Sequence, residues 1–166
     1  MRLGLFGLAA IVVVSAALDQ WSKHWVEANM VLHERIDLLP FFALFRAHND
    51  GIAFSMLAGG GAALILLMIA VVGFIAWLAW RAPATQWIAR LGFALILGGA
   101  AGNLIDRASL GYVIDYFLFH VGTWSFAIFN LADAFITVGA GLVILQELLS
   151  WLADRRAKAQ TSRDSN

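Results

Sequence analysis

The stretch FNLADAFITVGAGLVILQELLSWL, residues 129–152, decides the fold, because it sets an acid near the start of a run long enough to cross a bilayer. An α-helix rises about 1.5 Å per residue, so about 20 residues span the hydrocarbon core. Asp133 lies near the beginning of this run. An aspartate at the centre of a membrane helix costs about 2.5–3.5 kcal/mol on insertion scales. Asp133 is therefore a candidate functional residue.

A second aspartate, Asp115, lies 18 positions earlier in the run GYVIDYF, residues 111–117. It stands among Val113, Ile114 and Tyr116, where loss of solvent should raise its pKa. Two carboxyls that meet can share one proton, and aspartic proteases use such a pair to activate water. The two aspartates therefore predict a proton-sharing dyad.

Composition and spacing predict a mainly α membrane protein with a four-transmembrane-helix bundle. The chain has 166 residues, of which 61% are hydrophobic and 13% charged, whereas soluble domains average about 45–50% and about 25%. The helices are expected at about 3–21, 60–80, 87–107 and 131–152, within one domain covering 1–153. The first stretch also resembles a cleavable signal peptide, but an uncleaved helix is favoured. A polar tail at 154–166 is expected to be disordered and cytoplasmic.

The segments at about 22–57 and 108–130 predict a small periplasmic β-sheet with a hairpin, lying at the outer-leaflet surface. Both contain runs of aromatic and branched residues typical of strands. Pro40 is expected at a strand start or edge. Val121-Gly122 is expected to form the hairpin turn.

Lysines and arginines orient the helices. Seven lie on the side that holds both termini, and four lie on the other side. Because cytoplasmic loops carry the excess of positive charge, both termini should be cytoplasmic. The opposite ends of the helices should then face away from the cytoplasm.

Polar residues near the membrane boundary gather on the outward side, which predicts the site there. Three local spacings stand out. Asp19 and Lys23 lie four residues apart and can form an ion pair. Three residues near the end of the third helix share one face, and two residues at the start of the fourth helix form a capping box. Each also has a structural interpretation, as a surface salt bridge, a polar helix end or a cap. The residues of the last two sets are Asn103, Asp106 and Arg107, and Asn130 and Asp133. The small residues at 98–102 and 139–141 predict close helix packing.

Several classes of site are disfavoured. The chain has no cysteine, and its four histidines lack the spacing of a metal motif. Equal numbers of basic and acidic residues give no basic field for nucleic acid.

Five motifs, in order, resemble those of the bacterial lipoprotein signal peptidases, also called signal peptidase II. They are DQWSK (19–23), HNDGIAFS (48–55), GGAAGNLIDR (98–107), GYVIDY (111–116) and FNLAD (129–133). The resemblance covers about residues 3–152. Ile52 departs from it, since the family more often has alanine there.

The resemblance implies an aspartic endopeptidase that removes signal peptides from diacylglyceryl-modified prolipoproteins, cutting before the lipidated cysteine. It implies no cofactor and no metal. A monomer that contacts membrane lipids and binds globomycin-type inhibitors is expected. Asp115 and Asp133 match the catalytic dyad. The residues that match substrate-binding or supporting positions are Asp19, Lys23, Asn49, Gly51, Phe54, Asn103, Asp106, Arg107 and Asn130.

Two other functions stay open from the residues alone. A small proton- or ion-coupled transporter would also place acids in a bundle, although transporters hold their sites near the midplane. A non-enzymatic assembly subunit would need only the apolar helices. Which aspartate carries the shared proton is also left open, because a coupled pair titrates as a unit.

Overall fold

Four long helices and a four-stranded antiparallel sheet form the protein in a computed structural model that describes residues 4–51, 61–122 and 124–164. All four helices are long and apolar enough to cross a membrane. This is the predicted fold class. In chain order the elements are α1 (Leu5–Asn29), β1 (Arg35–Leu39), β2 (Phe42–Asn49), α2 (Gly61–Arg81), α3 (Trp87–Ser109), β3 (Val113–Val121), β4 (Trp124–Ser125) and α4 (Leu131–Asp164).

Helix α3 is the centre of the bundle. It packs against α1, α2 and α4, and it is the most buried of the four helices. The other three helices turn large apolar side chains outward, such as Phe6 at 92%, Leu66 at 66% and Ile144 at 69% exposure. Such surfaces suit lipid rather than water. The bundle is thus organised around one helix that touches every neighbour.

Glycines bring α3 into close contact with both α1 and α4. A Cβ on Gly92 would lie 2.5 Å from the carbonyl oxygen of Gly139, and the reverse distance is also 2.5 Å. Gly98 faces Ser15 of α1 in the same way, at 2.6 Å from its Cβ. The predicted packing role holds for Gly98 and Gly139. It is wrong for Gly141, whose Cβ would have no atom within 4 Å.

The sheet has the strand order β1-β2-β3-β4, and every pairing is antiparallel. Pro40 lies in the turn that joins β1 to β2, one residue past the end of β1, rather than at a strand start or edge. The predicted hairpin exists, but Val121 pairs with Trp124, so its turn is shifted by one residue. Gly122 adopts a φ of 59° there, a conformation that glycine tolerates well.

Two helices are longer than predicted. Helix α1 continues to Asn29 because Asp19, Lys23 and Val26 form one buried stripe at helical spacing. Helix α4 continues to Asp164, through the tail that was expected to be disordered. Seven of the 13 tail residues are alanine, arginine, lysine or glutamine, which favour helix, and basic residues suit a helix C-terminal end.

The close α3–α4 contact gives a matched test. We expect Gly139→Ala to lower the free energy of unfolding by about 1–3 kcal/mol, because its Cβ would meet the Gly92 carbonyl oxygen. The control is Gly141→Ala, which should keep or slightly raise stability, because alanine is the better helix former. Thermal unfolding in one detergent measures both. Equal melting temperatures for the two variants would contradict the packing.

Candidate active site

Strand β3 places Asp115 against a cavity. Val113 and Asp115 share one face of the strand, and both line that cavity. Ile114 and Tyr116 point the other way, into a core cluster with the end of α1. The hydroxyls of Tyr116 and Ser22 are hydrogen-bonded at 2.7 Å. Burial raises the pKa of Tyr116 to about 12, so this contact stays uncharged and anchors β3 to α1.

The first turn of α4 places Asp133. The backbone N–H of Asp133 donates to Asn130 Oδ1 at 3.0 Å, and the N–H of Asn130 donates to Asp133 Oδ2 at 3.2 Å. This reciprocal pair is the predicted capping box, which is confirmed. The helix macrodipole stabilises negative charge at this end. Asp133 lines the same cavity as Asp115.

Two asparagine amides hold Asp115. Asn49 Nδ2 donates to Asp115 Oδ2 at 2.9 Å, and Asn130 Nδ2 donates to Asp115 Oδ1 at 2.7 Å. A backbone N–H orients each amide, because an N–H can only donate and the amide oxygen must face it. These donors are the N–H groups of Gly51, at 3.1 Å from Asn49 Oδ1, and of Asp133.

A third amide links the two carboxyls. Asn103 Nδ2 donates to Asp133 Oδ1 at 2.9 Å, while Asn103 Oδ1 accepts from Asn130 Nδ2 at 3.1 Å. Asp115 and Asp133 therefore stand at the two ends of a short hydrogen-bonded chain through Asn130 and Asn103. The structure brings the two predicted acids to one place.

A buried ionic cluster lies behind the amides. Lys23 Nζ is 2.7 Å from Asp19 Oδ2 and 2.8 Å from Asp106 Oδ2. The ion pair predicted for Asp19 and Lys23 is confirmed. Gln20, which the sequence analysis missed, donates to Asp106 Oδ1 at 2.7 Å and to the Gly102 carbonyl oxygen at 3.1 Å. The sequence signal that could have identified Gln20 was a polar residue directly after Asp19 in an otherwise apolar helix.

The three polar residues near the end of α3 do not all face one way. Asn103 and Arg107 line the cavity, whereas Asp106 points to Lys23 and accepts from the backbone N–H of Ile114 at 3.3 Å. The prediction that all three side chains share one face of the helix is wrong for Asp106. Successive residues are about 100° apart around a helix, so Asp106 and Arg107 diverge by that angle.

Arg107 fixes the end of β2. Its Nη1 donates to the Asn49 carbonyl oxygen at 3.3 Å, and its Nη2 donates to the Gly51 carbonyl oxygen. This guanidinium therefore holds the backbone that presents the Asn49 amide to Asp115. Phe54, also predicted to belong to the site, lies outside the described residues.

The cavity has a volume of about 510 Å³ and two unlike ends. Its polar end carries amide, carboxyl and guanidinium groups. Helix α2 supplies more of its apolar wall than any other element, and the sequence analysis did not identify this contribution. Helix α2 is apolar all round, so periodicity could not tell which of its faces meets the site. The α2 residues are Leu64, Leu67, Met68, Val71 and Val72.

The burial of Asp115 and the nearby Asp133 shift the pKa of Asp115 in the same direction. Burial raises the pKa of Asp115 to about 6, and the charge of Asp133 also raises it, while the hydrogen bond from Asn49 opposes them. A carboxyl with such a pKa can hold a proton under mild conditions. Within the described ranges, no three His, Asp or Glu side chains converge so as to hold a metal ion. Asp115 can therefore offer a proton to the cavity that Asp133 also lines.

The chain is similar to known proteins over most of its length. Residues 11–149 match the family model for signal peptidase (SPase) II. A lipoprotein signal peptidase of Mesorhizobium japonicum is 58% identical over 144 residues, covering 86% of each chain. One of Brucella ovis is 56% identical over 148 residues, covering 87% of this chain and 91% of the relative.

Solved structures share the fold. A bacterial membrane enzyme determined by the in meso method at 2.3 Å resolution superposes with a TM-score of 0.80 at 25% identity. The match covers 87% of this chain and 88% of that one. The predicted fold class and the resemblance are confirmed.

The capping residue gives a test of the site's electrostatics. We expect Asn130→Ala to lower stability by about 1–2 kcal/mol at every pH, because it removes the cap oxygen and the amide donor. Asn130→Asp keeps the cap but sets a second carboxyl against Asp115. Its stability should be lowest at neutral pH and should recover as protonation of Asp115, near pH 6, removes the repulsion. Thermal unfolding across pH measures this, and parallel profiles for both variants would refute it.

Proposed function

The chain belongs to the signal peptidase II family, and on that premise we propose that Asp115 and Asp133 are the catalytic dyad of an aspartic endopeptidase. Family membership makes the chain a protease that removes signal peptides from lipoproteins, and a multi-pass inner-membrane protein. It also decides between the peptidase and the transporter in favour of the peptidase. One observation carries the dyad proposal: a single cavity is lined by both carboxyls, which two amides connect.

The two carboxyls take different roles in the proposed reaction. Asp133, ionised at the helix N-terminus, takes a proton from a water molecule held between the carboxyls, and the water oxygen attacks the scissile carbonyl carbon. Asp115, protonated, gives its proton to the carbonyl oxygen as the tetrahedral intermediate forms. Collapse of the intermediate breaks the C–N bond, and the proton held by Asp133 passes to the leaving amine. Asp115 recovers its proton from the intermediate, so the dyad returns to its starting state.

The shape of the cavity supports a lipid-modified substrate. Its polar end carries the dyad, and its wall on α2 is apolar along about two helical turns from Leu64 to Val72. A diacylglyceryl-modified prolipoprotein would place its peptide at the polar end. Its apolar parts would contact the α2 wall while the acyl chains extend into lipid. Cleavage would then fall just before the lipidated cysteine.

The arrangement of charge supports a periplasmic site with both termini in the cytoplasm. Four basic residues were counted on the outward side, but Lys23 and Arg107 are buried in the site. On that side, only Arg35 and Arg46 then remain as basic residues outside the site, against seven basic residues on the other side. The positive-inside rule therefore favours this orientation more strongly than the raw count does.

Two further properties belong to this proposal. A monomer is sufficient for this site, because one chain supplies the dyad and its amide partners. Globomycin-type inhibitors are expected to occupy the dyad cavity, as the family resemblance implies. The proposed enzyme uses no cofactor and binds no nucleic acid.

Removing either carboxyl tests the dyad. Asp115→Asn and Asp133→Asn should each lower kcat more than about 10³-fold, since acid and base act as a unit. The assay is release of the signal peptide from a diacylglyceryl prolipoprotein peptide in reconstituted bilayers. The matched control is Asp50→Asn, an exposed acid close to Asn49 in the chain, which should stay within about twofold of wild type. Full cleavage by either dyad variant would remove that residue from the mechanism.

The pH dependence tests the assignment of the proton. Because burial raises the pKa of Asp115 to about 6, the proton-bearing form is lost as pH rises through that value. We expect kcat/KM, which reports the free enzyme, to fall on the alkaline side of about pH 6. A kcat/KM that rises through this range would show that Asp115 acts in its ionised form.

A further inference from the structure

The proposed mechanism leaves a buried cation unused. Lys23 is 1% exposed, and it is absent from the described residues that line the cavity. Burying an ammonium group is costly unless partners replace its water shell. Only Asn103 separates this lysine from the carboxyl of Asp133. Its role is therefore one that does not require contact with substrate.

Three oxygen atoms surround the ammonium group of Lys23. Its Nζ donates to Asn103 Oδ1 at 2.9 Å and forms ion pairs with Asp19 Oδ2 at 2.7 Å and Asp106 Oδ2 at 2.8 Å. The three oxygens come from α1 and α3, so they enclose the nitrogen from two helices. Lys23 therefore has little freedom to move.

This contact decides which way the Asn103 amide points. Because Lys23 can only donate, the amide atom facing it must be the oxygen. The amide nitrogen then faces Asp133 Oδ1, at 2.9 Å. A reversed amide would set its N–H groups against the ammonium and its oxygen against the carboxylate. Both contacts would be repulsive, so the cation favours one orientation, in agreement with the Asn130 amide that donates to the same oxygen at 3.1 Å.

The same cluster also fixes the helix that carries Asp133. The second oxygen of Asp19 accepts from the backbone N–H of Ala132 at 2.8 Å, in the first turn of α4. Gln20 holds Asp106 from the other side, at 2.7 Å. The ammonium, the amide and the start of α4 are thereby tied to one another.

We infer that Lys23 is a positioning residue, which orients the Asn103 amide so that it donates to Asp133 and keeps that carboxyl ready to accept a proton from water. This inference rests on the proposed dyad. The charged groups that face Asp133 are Lys23 on α1, Arg107 on α3 and Asp115 on β3. Among these, Lys23 acts through the amide.

The first experiment separates positioning from packing. Lys23→Met keeps an unbranched side chain, one heavy atom shorter, but removes its donors. It should lower kcat about 100-fold, as a small misplacement of a catalytic group does, with KM nearly unchanged. The matched control is Val26→Ala, a buried residue on the same face of α1. It should lower the melting temperature while kcat stays at the wild-type value. Equal kcat for Lys23→Met and wild type would overturn the inference.

A second variant decides the matter where Lys23→Met does not fold. Asn103→Asp leaves Lys23 in place but replaces the N–H facing Asp133 with an oxygen. When ionised, the new carboxyl repels Asp133; when protonated, its O–H can donate as the amide did. Cleavage should therefore be lost at neutral pH and return in part as pH falls. A loss that is the same at every pH would overturn the inference.

The dyad variants distinguish failure of this inference from failure of the proposed function. Inactive Asp133→Asn together with a fully active Lys23→Met would leave the dyad standing and remove the positioning role. Full activity of Asp133→Asn would overturn both, since there would be no base to position. Loss of kcat in Asp133→Asn and Lys23→Met, with Val26→Ala unaffected, is the expected result.

Discussion

A charge inside a membrane bundle must find its partners within the protein, because lipid supplies none. Three acids and one lysine are almost fully buried where α1, α3, β3 and α4 meet: Asp19, Asp106, Asp115 and Lys23. Removing one member of such a set leaves an uncompensated charge, at a cost of about 3–5 kcal/mol. The elements that meet there are therefore held together by the same groups that make up the site.

Close packing is what brings these groups within reach. Side chains as short as Asp and Asn can link two helices only if the backbones approach closely, and the glycines of α3 allow that approach. Gly102 is the clearest case, because a Cβ there would collide with the carboxyl of Asp19. Without that space, Asp19 could not bind Lys23 and the N–H of Ala132 together. The glycine contacts and the polar network thus depend on each other.

The parts of the site that follow from the sequence are those set by local geometry. The Asp19–Lys23 pair and the capping box of Asn130 and Asp133 lie within one helical turn, where spacing determines contact. Contacts between elements could not be predicted in this way. Gln20 reaches Asp106 across 86 positions, and the α2 wall depends on how an all-apolar helix is rotated. The length of α1 was underestimated for a related reason, since its last turns are buried by β3 rather than by lipid.

The two carboxyls are chemically identical, so the different roles proposed for them must come from where the fold puts them. Asp115 lies on a strand, and strands have only a small net dipole. Its charge is opposed by burial and by its neighbour, and it is supported by side-chain amides and by the charge of Lys23. Asp133 lies at a helix N-terminus, where a backbone N–H and the macrodipole both favour an anion. In the proposed mechanism, a strand residue beside a helix-capping residue therefore yields an acid and a base from one residue type, which water activation requires.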